Sequence, residues 1–371
     1  MDDEVRETGL GPVPHRSPSG PRGGRRSPYG HGRHDGAGGS DASGPTYAAL
    51  DLGTNNCRLL VARATRDSFR VVDAFSRIIR LGEGVTASGR LSEAAIARAV
   101  DALRVCRNKI RNRGATRARL IATEACRAAE NGNEFLATVR EEVGIELEIV
   151  DRETEARLAA TGCTPLVDPA SQGVILFDIG GGSSELVRLG RTVQTPAGPP
   201  HPEVEAWVSL PMGVVTLAER HGGVAVTRES FEAMINEVAV FVDRFAAEHG
   251  GRLEGMHLLG TSGTVTTIAG VYLELPRYER RRVDGCWLTD VQISAVVERL
   301  LAMSYQDRVA NPCIGAERAD LVLAGCAILE AIRRAFPCER LRVADRGLRE
   351  GMLVQMMRED GVWDRPEAAA P

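Results

Sequence analysis

The chain has 371 residues, 43% hydrophobic and 26% charged, a length that suits two domains with a cleft because single cores stop growing near ~250 residues. Its formal net charge of −4 excludes a global field that would concentrate nucleic acid, so an anionic ligand must be held by a local site. The eight cysteines form no C-x-x-C pair and no zinc-spaced cluster, and no apolar run approaches the ~20 residues that cross a bilayer; the chain is therefore read as cytoplasmic, reduced and without a membrane partner.

Residues 1 to about 45 are rich in Gly, Pro, Ser and Arg and have no apolar period, which predicts a disordered tail dispensable for chemistry. From Thr46 the pattern changes. YAALDLGTNNCRLLVA reads as strand, tight turn and strand, and FRVVDAFSRIIRL extends it to a β-meander. Ser92 then opens a helix through about Arg113, with Ile96, Val100, Leu103 and Ile110 on one face. ARLIATEACR is a short strand ending in a turn, NEFLATVREEVG a helix closed by Gly144, IELEIV a strand, and DRETEARLAATG a helix.

At Val174 the opening theme returns as VILFDIGGGSSELVRL. Asp51 and Asp178 precede the two turns one domain length apart, which predicts a duplicated unit of lobes 46–170 and 171–371, with the last helix free to pack back on the first lobe. A flexible Pro/Gly insertion is expected over 192–203 and a long helix from Thr227 to His249. Then come a strand ending in LLGTSGTV, a helix capped by the Thr289 to Gln292 box, and helices near 317–335 and 346–358. Strands followed by helices in both halves imply an α/β fold.

Three glycine-rich turns follow strands: Gly53-Thr54-Asn55, Gly180-Gly181-Gly182-Ser183-Ser184 and Gly260-Thr261-Ser262-Gly263-Thr264. Glycine lets backbone N–H groups approach an oxyanion, and Ser/Thr hydroxyls add donors. Each turn alone is an ordinary hairpin or strand–helix turn; three together, two in equivalent positions, point to a phosphate clamp. A carboxylate beside a phosphate is repulsive unless a cation lies between them, and magnesium needs only one or two, here Asp178 and Glu185 with Asp51 as a further candidate. In Glu153-Thr154-Glu155 the two acids point to different sides of a helix, so Glu155 suits a general base on water, against the plainer reading of an acidic pair at a helix start. Arg127 could fork onto a phosphate or form a surface ion pair. The seven histidines form no triad with a serine, and the three tryptophans read as packing residues.

These blocks, with EIVDRETEARLAATG and ADRGLREGML, occur in the order of the exopolyphosphatase / guanosine pentaphosphatase (Ppx/GppA) family, which the chain resembles from Thr46 to about Glu359 in a short two-domain form. The resemblance implies two ribonuclease-H-like lobes of the acetate kinase, sugar kinase, Hsp70 and actin superfamily. It implies Glu155 as catalytic base, Arg127 as a phosphate-contacting residue, and Asp178, Glu185 and Glu153 as magnesium-associated acids. Gly53, Thr54, Asn55, Gly181, Gly182, Ser183, Ser262, Gly263 and Thr264 match the family's phosphate loops. The usual S-G-E-E-E-A stands here as Asp151-Arg152-Glu153-Thr154-Glu155-Ala156, which leaves metal number and substrate preference open.

The expected activity is thus magnesium-dependent hydrolysis of terminal phosphate from inorganic polyphosphate or guanosine pentaphosphate, two substrates the sequence does not rank. The alternatives are an ATP-dependent kinase or ATPase of the same fold and a non-catalytic polyphosphate or guanosine tetraphosphate sensor. A homodimer is compatible with the sequence, and no specific nucleic-acid partner is expected.

Overall fold

The computed structural model describes residues 44–195 and 198–363, so the tail read over 1–45 lies almost wholly outside the described residues. The first sheet contains β1 (Thr46–Leu52), β2 (Asn56–Ala64), β3 (Phe69–Ile78), β4 (Arg117–Ala122) and β5 (Glu148–Ile149), ordered β3-β2-β1-β4-β5. The second contains β6 (Gly173–Ile179), β7 (Ser184–Thr195), β8 (Gly198–Leu210), β9 (Met256–Thr261), β10 (Trp287–Thr289) and β11 (Arg340–Ala344), ordered β10-β11-β9-β6-β7-β8.

Both sheets are built alike. β1 pairs antiparallel with β2 and parallel with β4; β6 pairs antiparallel with β7 and parallel with β9. With the edge strand β10 set aside, the second sheet repeats the order of the first, the ribonuclease-H-like arrangement. The central strands TYAALDL and GVILFDI are apolar on both faces because helices cover both sides, and each breaks that run only at its aspartate.

The helices follow their caps. Ser92 accepts the Ala95 N–H at the start of helix Glu93–Asn112, which buries Ala95, Ala99, Leu103 and Cys106 on the first sheet. Thr227 and Thr289 cap helices Arg228–His249 and Asp290–Ala302 by capping boxes. Helix Arg152–Cys163 begins at Asp151, whose carboxylate accepts the Thr154 N–H at 2.7 Å.

Two helices tie the lobes together. Helix Arg152–Cys163 follows the first sheet in sequence but packs Ala156, Ala160 and Cys163 against Val174, Leu176 and Val187 of the second. Helix Leu348–Glu359 returns to the first, setting Met352, Leu353 and Met356 against Tyr47, Ala49 and Leu60. They touch backbone to backbone at glycines: a Cβ on Gly162 would lie 2.0 Å from Gly347 O, and one on Gly351 1.9 Å from Leu158 O.

Three segments differ from expectation. After β4 the chain enters a five-residue helix, Glu124–Ala128, so Arg127 is helical and does not end a strand. IELEIV contributes only Glu148–Ile149 to the ladder. The segment read as a flexible insertion over 192–203 is the far end of the β7–β8 hairpin, with only residues 196–197 of it outside the described residues; its prolines are tolerated because β8 is an edge strand. Among the described residues no helix is long and apolar enough to cross a membrane.

Candidate active site in the cleft

The duplicated hairpins meet at their turns. The same bond closes both, Gly53 N–H to Asn56 O and Gly180 N–H to Ser183 O, each at 2.9 Å. The first turn then rests on the second: a Cβ on Gly181 would lie 2.9 Å from Thr54 Cβ, and one on Gly182 2.8 Å from Thr54 Oγ1. Any larger residue would force the lobes apart. Val214 and Val215 donate to the Gly180 and Gly181 carbonyls at 3.0 and 2.8 Å, which draws those oxygens toward helix Val214–His221.

The third turn is strained. Ser262 has φ 84°, in the left-handed region that disfavours a side chain, and its hydroxyl donates to Ile179 O at 2.6 Å. Gly263 then starts helix Gly263–Tyr272. Not every predicted donor faces the cleft. Thr264 is buried, its hydroxyl side so close to the helix Val322–Ala335 that a Cβ on Gly325 would lie 2.3 Å from Thr264 Oγ1. Ser183 donates its hydroxyl to Glu185 at 2.8 Å. Thr54 and Asn55 are buried, and the side-chain oxygens of Asn55 and Asn56 lack hydrogen-bond partners.

Beneath the turns lies a run of carboxylates from both lobes. Asp178 and Glu185 face each other across the β6–β7 register. Burial first, then Asp51, push Asp178 up to about 6, against the opposing pull of Arg58. Burial and Asp178 push Glu185 up to about 7, although Ser183 and Ser209 both donate to it. Asp51 is also raised by burial, with Arg58 and Arg349 opposing. Glu155 stands well above the usual carboxylate range, because it is buried and sees Glu185, with Arg127 resisting. Glu185 is thus coupled by charge to both Asp178 and Glu155.

Arg127 serves this cluster from below. Its guanidinium donates to Glu124 at 2.7 and 3.0 Å, to Glu155 at 3.1 Å and to Val150 O at 2.5 Å. Most of its five donors are thus occupied, and it holds Glu155 in place. Arg152, at the position where the family pattern has glycine, pairs with the other Glu124 oxygen at 3.0 Å.

Glu153 requires a correction. Its carboxylate is 48% exposed and ion-paired with Arg157 at 2.8 Å, outside the cluster. Two residues along a helix turn the side chain about 200°, so pointing Glu155 inward sends Glu153 to solvent.

Sequence reasoning passed over three arginines. Arg58 lies opposite Asp51 in the β1–β2 register, and Arg349 stands in the ADRGLREGML block; both act on Asp51 and Asp178. Arg318 lies with its guanidinium 3.9 Å from where a Gly263 Cβ would be, and burial together with Arg58 lowers its pKa. The register could have exposed Arg58; no local signal marks Arg318, which reaches the cleft from a loop. A separate cavity of about 960 Å³ opens on the opposite face of helix Arg152–Cys163, beside Thr154 and Arg157, and none of the clustered acids lines it.

Carboxylates only partly offset by Arg58, Arg127 and Arg349, together with the unpartnered side-chain oxygens of Asn55 and Asn56, make a donor set rich in oxygen, the kind a hard divalent cation takes. Among the described residues no three such acids converge at metal spacing, so a cation here would keep most of its ligands as water or substrate oxygens.

A family model described as the Ppx/GppA phosphatase family matches residues 60–360. The chain belongs to the Ppx/GppA phosphatase family. It is 30% identical over 313 residues to a protein of Aeromonas salmonicida named guanosine-5'-triphosphate,3'-diphosphate pyrophosphatase, covering 84% of this chain and 60% of that one. This member therefore spans about three fifths of the length of the curated relatives it matches. The crystal structure of the Aquifex aeolicus family member superposes with a TM-score of 0.70 at 28% identity, covering 85% of this chain and 98% of that one. A Cytophaga hutchinsonii exopolyphosphatase structure, at 23% identity and a TM-score of 0.75, covers 85% and 98% and shares the fold.

Proposed function

We propose that the chain is a magnesium-dependent phosphoanhydride hydrolase that removes the terminal phosphate of inorganic polyphosphate or guanosine pentaphosphate. The observation that carries this is Glu155: a largely shielded carboxylate clamped by Arg127 and charge-coupled to Glu185, in a lobe whose glycine turn touches that of the other. The names of the relatives point the same way, since they include a guanosine pentaphosphate pyrophosphatase and an exopolyphosphatase.

In this reading the terminal phosphoryl group docks among the Gly53–Asn55 and Gly181–Ser183 turns, the Ser262–Gly263 backbone, and the guanidinium groups of Arg58 and Arg318. Magnesium at Asp178 and Glu185 would neutralise charge on the phosphoryl oxygens. Glu155, whose high proton affinity suits a base, takes one proton from a water as its oxygen attacks phosphorus. The P–O bond to the leaving phosphate breaks, and the electron pair stays on that oxygen. Arg127 keeps the Glu155 carboxylate oriented throughout, and positioning with charge neutralisation supplies most of the rate.

Phosphate release by the purified protein from long-chain polyphosphate, guanosine pentaphosphate and ATP, with and without magnesium, tests the reading and ranks the substrates. Glu155→Gln is expected to lower turnover by about 10² to 10⁴ while substrate still binds. Undiminished phosphate release by that variant would refute the role of Glu155.

A further inference from the structure

Two elements that flank the docking region are joined by an ion pair between the lobes, Arg80 to Asp320. Arg80 extends from the end of β3 in the first lobe. Its guanidinium donates to Asp320 Oδ2 at 3.0 Å and Oδ1 at 3.2 Å, and to Glu317 O at 3.3 Å, all in the second lobe. Nearby, Gly84 N–H donates to Glu219 of the second lobe at 2.9 Å. The pair is partly shielded, with 34% of the Arg80 and 22% of the Asp320 side chain exposed, and its bidentate form fixes distance and angle together.

Each end of this pair is bonded to a part of the docking region. On the first lobe, Ile79 N–H and Arg80 N–H donate to Asn55 O at 2.9 and 3.1 Å, and Gly82 N–H to Thr54 O at 2.9 Å. The segment carrying Arg80 is thus the brace of the first glycine turn. Arg98 fixes that brace from behind by donating to Ile79 O at 2.8 Å and Arg80 O at 3.3 Å. On the second lobe, Asp320 shares a tight turn with Arg318, whose carbonyl accepts from Leu321 and Val322, and the Arg318 guanidinium faces Gly263 at the third turn.

The backbone at Arg80 is itself unusual. Its φ of 47° lies in the left-handed region, and among the described residues only Ser262 and Glu274 share this without being glycine. That conformation is disfavoured for a residue with a side chain and persists only where surrounding contacts hold it. Here it buries Ile79 while sending Arg80 across to the other lobe.

We propose that Arg80 is a positioning residue, whose pairing with Asp320 sets the gap between the Thr54–Asn55 turn and the Arg318–Gly263 pair so that both reach one phosphoryl group. This rests on the phosphate-docking reading above. Arg80 touches neither Glu155 nor Arg127, so losing the pair should weaken docking while leaving the hydrolytic step largely intact.

The test is a charge-swap cycle of Arg80→Asp, Asp320→Arg and the double variant, with Arg80→Lys as the mild change. Aspartate tolerates the left-handed backbone better than most residues, which limits damage to the fold. Each single swap is expected to raise KM for the substrate turned over by at least about tenfold with kcat changed less than about threefold, and the double swap to recover most of the loss. Hydrogen exchange read on segments 79–84 and 317–320 should quicken in both single variants and slow again in the double. The exchange arm needs no turnover, so it decides the inference even if all three substrates prove inert and the hydrolase reading fails. Single variants with wild-type KM and exchange, a fall in kcat as large as the rise in KM, or a double variant no better than the singles would each overturn the proposal.

Discussion

Replacing Glu185 by glutamine probes the electrostatics of the cleft with little change of shape. Glu185 is raised from an ordinary 4.5 to about 7, by burial first and Asp178 second. Between those pH values the folded state holds a proton that the unfolded chain has released, so stability falls as pH rises through that window. A shift of this size corresponds to about 3 kcal/mol. The amide oxygen can still accept from Ser183 and Ser209, and it carries no charge at any pH. Glu185→Gln should therefore match the wild type near pH 4.5 and exceed it by about 3 kcal/mol at pH 8. At roughly 0.7 kcal/mol per kelvin for a chain of this size, the calorimetric midpoint rises by roughly 4 °C. Magnesium added at pH 8 should raise the wild-type midpoint more than that of the variant, because it supplies the neutralisation that the amide makes unnecessary. A difference between the two proteins that is the same at both pH values, or a variant less stable at pH 8, would refute the reasoning.

Two further substitutions bear on other parts of the structure. Glu153→Ala removes only a half-exposed pair with Arg157, so stability should change by no more than about 0.5 kcal/mol and the magnesium dependence of turnover should not move; a large rise in the magnesium needed for half-maximal rate would return Glu153 to the metal site. Gly351→Ala places a methyl group 1.9 Å from Leu158 O where the two tie helices touch, and should lower stability in urea by about 1–3 kcal/mol; an unchanged urea midpoint would show that the helices do not meet there.

Much of the fold was legible because its signals are local. Ser92, Thr227 and Thr289 mark helix starts by bonding to N–H groups three residues on, and the positive φ of Gly144 closes the helix Gly132–Val143. The repeat of Asp51 and Asp178 foretold two sheets of one topology, since the same strand–turn–strand pattern closes with the same backbone bond in each. The reading failed where composition misled. Prolines over 199–202 suggested a loose insertion, yet an edge strand accommodates them beside β7.

The sequence by itself determined the residue types available to the cleft: glycine turns after two aspartates, a helix-borne acid, and an arginine upstream of it. Tertiary structure decided which of them meet. It turned Glu155 inward and left Glu153 in water, turned Thr264 into the lobe, engaged Arg127 with Glu124 and Glu155, and brought Arg58 and Arg349 to Asp51 and Asp178 and Arg318 to the third turn. The physical reason is range. Caps, turns and strand periods act over a few residues, whereas desolvation and charge pairing depend on what the other lobe places opposite, which no spacing along the chain encodes.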